Sequence, residues 1–217
     1  MKKWCVLARQ PAGENSWLMD VLSETDGLIK VRSGKYTEVP DLLAVWRGDW
    51  KTSTEWPTLK AVEKISQYNL QDTALLCGLY VTELLHKLLT YGEPAPRLFQ
   101  LYLETLNAIR DHQHYEVWLR FFEYRLLNEL GFGFDWHTAD SQPIIASGNY
   151  QWSTQQGLVH AEQGWSGSVL LAIGRNDFIY PGALSVARQV LRDALSEHLT
   201  KPLVSRELLM TRATSIR

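Results

Sequence analysis

The hydrophobic period changes once along this 217-residue chain, near Gln71, and that change limits the folds open to it. Before it, apolar residues come in short runs broken by turn residues: Trp4 to Gln10, Trp17 to Leu22, Leu28 to Arg32, Leu42 to Trp46 and Leu59 to Ile65. Runs of this length and composition predict strands. Asp26-Gly27 separates the second from the third, a hairpin signal because Gly accepts positive φ. The polar stretch Arg47 to Thr58, with Pro57, predicts a connection. About five short strands at this spacing suggest a small barrel of the OB type over residues 1–66, with an isolated meander as the alternative.

Beyond Gln71 the apolar residues recur at three- and four-residue steps, which predicts helices. Asp72 reads as an N-cap, and Leu75, Leu76, Leu79, Tyr80, Leu84, Leu88 and Tyr91 mark a helix over Thr73 to Tyr91, ended by Gly92 and Pro94. Arg97 to Ile109 and Tyr115 to Leu130 repeat the pattern, the latter with Gly131 as its C′ residue. Three antiparallel helices with short loops predict a compact body. From Phe132 to Ile179 the helical period is lost, and β-hairpins or irregular structure are expected, including the apolar run Val169 to Ile173. Helix returns at Pro181 and runs to Leu199, and a last short helix starts at Ser205. The fold class expected is α+β: a barrel, then a helical domain over 71–217 with a β or irregular insertion at about 134–179.

A formal net charge of −2 excludes a globally basic nucleic-acid binder but not a basic face. The chain's two ends are richer in cations than its middle: residues 1–65 hold 10 basic and 9 acidic side chains, 66–187 hold 6 and 12, and 188–217 hold 6 and 3. Two cysteines, Cys5 and Cys77, supply neither a disulfide framework nor a four-cysteine zinc site, and their apolar neighbours predict buried thiols. The apolar run after Lys2-Lys3 is cut off by Arg9, too short for a signal peptide, and no stretch approaches the roughly 20 apolar residues of a membrane span. A cytoplasmic protein is expected.

Catalytic patterns are weak. Asp111-His112 with His114 has poor metal geometry, since residues two apart do not share a helix face. Asp135, His137 and Asp140 lack a partner nucleophile. Ser166-Gly167-Ser168 lacks the strand–nucleophile–helix setting of a hydrolase elbow. The expectation is a binding protein with no cofactor and no metal.

Two binding patterns stand out. In the β-rich head, Trp4, Trp17, Trp46, Trp50 and Trp56 are interleaved with Lys30, Arg32, Lys35, Arg47, Lys51 and Lys60. Rings on which bases stack, beside cations that follow phosphates, are what a single strand needs. The candidate contacts are Lys30, Arg32, Lys35, Trp46, Arg47, Trp50 and Lys51, while Trp4 and Trp17 read as core. On the third helix, Trp118, Phe121, Phe122, Leu126 and Leu130 make an apolar face interrupted by Arg120 and Arg125. Arginine beside aromatics suits a peptide that ends in an apolar residue and carries acidic neighbours. A core helix whose arginines point to solvent fits the same pattern.

Three segments resemble one known family. The run Leu119-Arg120-Phe121-Phe122-Glu123-Tyr124-Arg125-Leu126-Leu127 through Leu130-Gly131-Phe132-Gly133 is similar to a segment of the RecO recombination mediators. So are Gly78-Leu79-Tyr80-Val81-Thr82-Glu83-Leu84-Leu85 upstream and Lys201-Pro202-Leu203-Val204-Ser205-Arg206-Glu207-Leu208-Leu209 near the end. The resemblance implies a non-catalytic mediator in DNA repair, nucleoid-associated, that binds single- and double-stranded DNA through its barrel and anneals complementary strands. It further implies docking on the acidic, Phe-ending tail of the single-strand binding protein, and help from RecR in loading RecA. Carried onto this chain, the tail site lies at Arg120, Phe121, Arg125 and Arg206. Many members hold a zinc through four cysteines after the glycine motif; residues 134–162 contain no cysteine here, so no zinc is expected. The basic loop after the third strand is also reduced, to Lys30-Val31-Arg32-Ser33-Gly34-Lys35 with Glu38 and Asp41 close behind. That departure favours a second reading, a partner-docking module with little direct DNA binding.

Overall fold

The computed structural model describes residues 1–14, 16–33, 39–51, 56–112 and 114–215. Five strands, β1 (Lys2–Pro11), β2 (Trp17–Ser23), β3 (Gly27–Arg32), β4 (Ala44–Lys51) and β5 (Thr58–Gln67), close into a barrel in the order β1-β2-β3-β5-β4. The β3 strand pairs with β5 in parallel, at Arg32 and Thr58. The barrel is OB-like and the chain is α+β, as its two periods imply. Alternation explains the core: Trp4 and Val6 of β1, Met19 and Val21 of β2, Val31 of β3, Ala44 and Trp46 of β4 and Leu59 of β5 point inward.

The predicted connection from Arg47 to Thr58 is partly strand. Arg47, Asp49 and Lys51 belong to β4 and pair with Glu63, Lys60 and Thr58 of β5, with a register shift between Arg47 and Asp49. Their polar side chains look outward, so the strand does not advertise itself as apolar.

Among the described residues six helices follow: α1 (Asp72–Leu88), α2 (Pro96–Asp111), α3 (Tyr115–Glu129), α4 (Gly167–Gly174), α5 (Ala183–Ser196) and α6 (Val204–Ser215). Between α3 and α4 lie the hairpin strands β6 (Thr138–Ala139), β7 (Gln142–Pro143), β8 (Asn149–Ser153), β9 (Gly157–Ala161) and β10 (Trp165–Ser166). Gly131 ends α3 as expected. Its φ is +81°, and the N–H groups of Gly131 and Phe132 donate to the carbonyls of Asn128 and Leu127, the two bonds of a Schellman turn.

Four local expectations are corrected. Gln71, not Asp72, is the N-cap of α1. The same helix stops at Leu88, because Leu89 is extended and Tyr91 instead bridges to Leu28 of β3. Val169 to Ile173 is helical, within α4, which Ser166 caps by accepting from the Ser168 N–H; an apolar run bounded by glycines does not by itself distinguish strand from helix. Pro181 lies outside α5, whose N-cap is Gly182 at φ +84°.

By proximity of the backbone, Met1–Tyr115 and Pro202–Arg217 form one compact unit and Glu116–Lys201 a second. In the first, the barrel is joined by α1, α2 and α6. Gly78 of α1 lets Leu70, Leu43 and Leu106 approach so closely that a Cβ there would stand 2.6 Å from Leu70. Thr82 of α1 and Tyr102 of α2 share a buried hydrogen bond of 2.8 Å. Cys5 and Cys77 are buried, as their neighbours suggest. The second unit holds α3, α4, α5 and the hairpins, and Phe122, Leu126, Leu170, Leu191 and Leu195 are buried within the fold.

Candidate nucleic-acid and peptide interfaces

The candidate cations of the barrel differ in how committed they already are. Lys30 Nζ lies 2.8 Å from Asp20 Oδ1 and over the rings of Trp56 and Tyr91, at 5.9 and 5.5 Å. Asp20 is the hub of this group, taking His86 Nε2 of α1 at 2.9 Å as well. Burial pushes the Asp20 pKa up, but hydrogen bonds from His86, Lys30 and Tyr91 and the lysine's charge outweigh it and hold the carboxyl at about 2. Arg47 faces Glu63 at 3.7 Å. Arg32 is exposed and donates to the Ala12 carbonyl. Lys51 is exposed, and Lys35 lies outside the described residues.

Trp46 does not present a ring to a ligand. It is 2% exposed and stacks inside the barrel on Trp4, at 6.0 Å between centroids. Charged neighbours in sequence made it look exposed; its place on β4, opposite Trp4 of β1, turns it inward. Trp50 is half-buried, with Lys2 Nζ 4.8 Å above its ring. Among the ring–cation contacts that sequence reasoning missed are Lys2 on Trp50, Arg9 on Trp17 at 5.1 Å, and Tyr91 beside Lys30. Each depends on strand register or on a long-range bridge, so no local pattern announces it.

The second interface lies along α3. Positions 120 and 125 are five residues apart, about 140° around a helix, and the structure separates them accordingly. Arg120 is 7% exposed and bound to Glu123, itself 2% exposed, at 2.6 Å. Arg125 is exposed and lies 5.7 Å from the ring centroid of half-buried Phe121, which meets Trp118 edge-on at 6.5 Å. Trp118, Phe121 and Arg125 therefore share one accessible stripe, and Arg120 does not join it. Arg206 belongs to the first unit, where it stacks on Tyr80 of α1 and donates to that hydroxyl at 3.3 Å.

Among the described residues no group of three or more His, Cys, Asp and Glu side chains stands together as a metal site would need. Asp135 pairs with His137 at 3.0 Å on the surface, and Asp140 accepts from the His160 N–H. No described helix is long and apolar enough to cross a membrane.

Residues 72–207 match the family model described as the recombination protein O C-terminal domain. A DNA repair protein RecO from Pseudomonas aeruginosa is 35% identical over 222 residues, spanning 98% of this chain and 95% of its own. One from Stutzerimonas stutzeri is 36% identical over 216 residues, 94% and 91% of the two chains. One from Pseudomonas putida is 43% identical over 149 residues, 66% of each. The similarity runs through the barrel as well as the helices, and the chain belongs to the RecO family of DNA repair proteins.

Proposed function

We propose that this chain is a non-catalytic recombination mediator in DNA repair. Its barrel binds single- and double-stranded DNA and anneals complementary strands. The α3 stripe docks the acidic, Phe-ending tail of the single-strand binding protein, and with RecR the protein helps RecA load onto coated strands. The observation that carries the reading is the stripe Trp118–Phe121–Arg125. An exposed guanidinium beside two accessible rings pairs a carboxylate-binding fork with an apolar seat, the chemistry of a peptide ending in phenylalanine. Exposed Arg32 and Lys51 and half-buried Trp50 support the DNA half.

Titration of a labelled acidic, Phe-terminated peptide tests this site. Saturable binding that Arg125→Glu removes is expected; a flat titration of the unmutated protein removes the docking site from the account. A gel-shift of single-stranded oligonucleotide at low salt tests the barrel independently.

A second reading is favoured by one group of contacts. Lys2, Lys30 and Arg47 each face a carboxylate, Asp26, Asp20 and Glu63 respectively. A barrel in which these three cations are already matched suits a module that acts chiefly through partner docking. Under this reading Arg125→Glu abolishes all activity, whereas under the first it spares binding to bare DNA.

A further inference from the structure

Tyr91 lies outside the barrel in sequence, yet the fold fixes it against β3. Leu28 and Tyr91 form a parallel bridge, and the Gly92 N–H donates to the Leu28 carbonyl at 2.8 Å. Gly27, at φ +68°, sits so close to the Glu93 carbonyl that a Cβ would stand 1.7 Å from its oxygen. The connection between α1 and α2 is therefore clamped along the start of β3, where only glycine at 27 allows it. The Tyr91 ring is held beside Lys30 Nζ, 5.5 Å from its centroid, and that ammonium is itself paired with Asp20. Tyr91 nonetheless remains 48% exposed.

Trp56, at the entry to β5, and Tyr91 are brought to the same ammonium group, Lys30 Nζ. Asp20 matches the charge of that lysine. The constellation thus offers aromatic rings, held in place, and little net charge. Its complement is a nucleobase, which stacks on any ring regardless of sequence, and not a phosphate.

We infer that Tyr91 extends the barrel's nucleic-acid surface onto the connection between α1 and α2, as a stacking platform for a base of single-stranded DNA next to Trp56 and Lys30. This rests on the DNA-binding half of the proposed function and adds a contact from outside the barrel.

The test uses the full chain and a fluorescent oligothymidylate, with Tyr91→Ala, Tyr91→Phe and Lys30→Ala. Loss of one stacking contact weakens binding about 5-fold or more in Tyr91→Ala, while Tyr91→Phe, which keeps the ring, stays within about 2-fold. The slope of log K against log salt distinguishes stacking from charge. It is unchanged in Tyr91→Ala, and in Lys30→Ala as well, because Asp20 already matches that lysine's charge; a slope shallower by about 0.7 in Tyr91→Ala would contradict stacking. A purely structural role for Tyr91 would instead show as a lowered melting temperature in Tyr91→Ala. Independently of any variant, photocrosslinking of iododeoxyuridine-substituted single strands to the unmutated protein, mapped by mass spectrometry, yields an adduct on Tyr91. Normal binding by Tyr91→Ala together with crosslinks confined to other residues overturns the inference and leaves the proposed function standing. Failure of the unmutated protein to bind the oligonucleotide overturns both.

Discussion

Glu83 of α1 caps α6 through Ser205: its carboxylate accepts from the Ser205 N–H at 2.9 Å and the Ser205 hydroxyl at 2.5 Å, and also from the Val204 N–H at 3.1 Å. The residues belong to two of the segments on which the family resemblance rests, 121 or more positions apart in sequence. The next residue, Arg206, lies on Tyr80 one turn earlier in α1. One physical unit thus accounts for both motifs: a helix start with unsatisfied N–H groups and a carboxylate delivered from a neighbouring helix.

Glu83→Gln should lower stability by about 1 kcal/mol, the scale of a lost helix cap. Burial raises the Glu83 pKa, but the bonds from Ser205 and Val204 outweigh it and bring it below the usual glutamate range. A carboxyl depressed on folding stabilises above its unfolded pKa, and the gain is lost as pH falls through the folded value. Chemical denaturation at several pH values should therefore show the difference between the two proteins closing below about pH 4.

Asp20→Asn should act in two directions. It removes the partner that draws Lys30 inward, so binding to short single strands at low salt should tighten, with a salt slope steeper by about 0.7. It also removes a carboxyl held at about 2, whose stabilising effect is present above about pH 4 and lost between there and pH 2. Acid unfolding followed by circular dichroism should be less steep in the variant over that window.

Trp46→Ala and Trp50→Ala should separate core from surface. Truncating Trp46, buried on Trp4, should cost about 3–5 kcal/mol, as large cavities do. Half-buried Trp50 should cost less in stability and more in affinity for single strands, about 5-fold or more. Thermal melts beside oligonucleotide titrations check both.

Arg120→Gln and Arg125→Glu should part in the same way. Breaking the buried Arg120–Glu123 pair leaves a carboxylate without its guanidinium and should destabilise by about 3–5 kcal/mol. Exposed Arg125 should show almost no change in melting temperature and a loss of binding to the acidic peptide.

Much of the fold was legible because its signals are local. Short apolar runs marked the barrel strands β1 to β5, Trp4 was readable as core, and glycine at 131 ended α3. The α4 helix was not legible, since Val169 to Ile173 is apolar on every side and carries no period. At the candidate sites, residue types were readable but directions were not. Arg120 and Arg125 look alike in sequence, and five residues of helix send one into the core and the other to solvent. Trp46 is turned inward by strand pairing that neighbouring charges conceal, and Tyr91 reaches the barrel by a bridge across 63 positions.

The central claim is best tested by annealing complementary strands coated with single-strand binding protein, using coat protein with and without its acidic tail. The account predicts rapid annealing of strands coated with the intact protein, lost when the tail is removed or when Arg125 is changed to Glu, with annealing of bare strands retained in both cases. Failure to anneal bare strands at low salt, or equal rates with tailed and tailless coats, would contradict it.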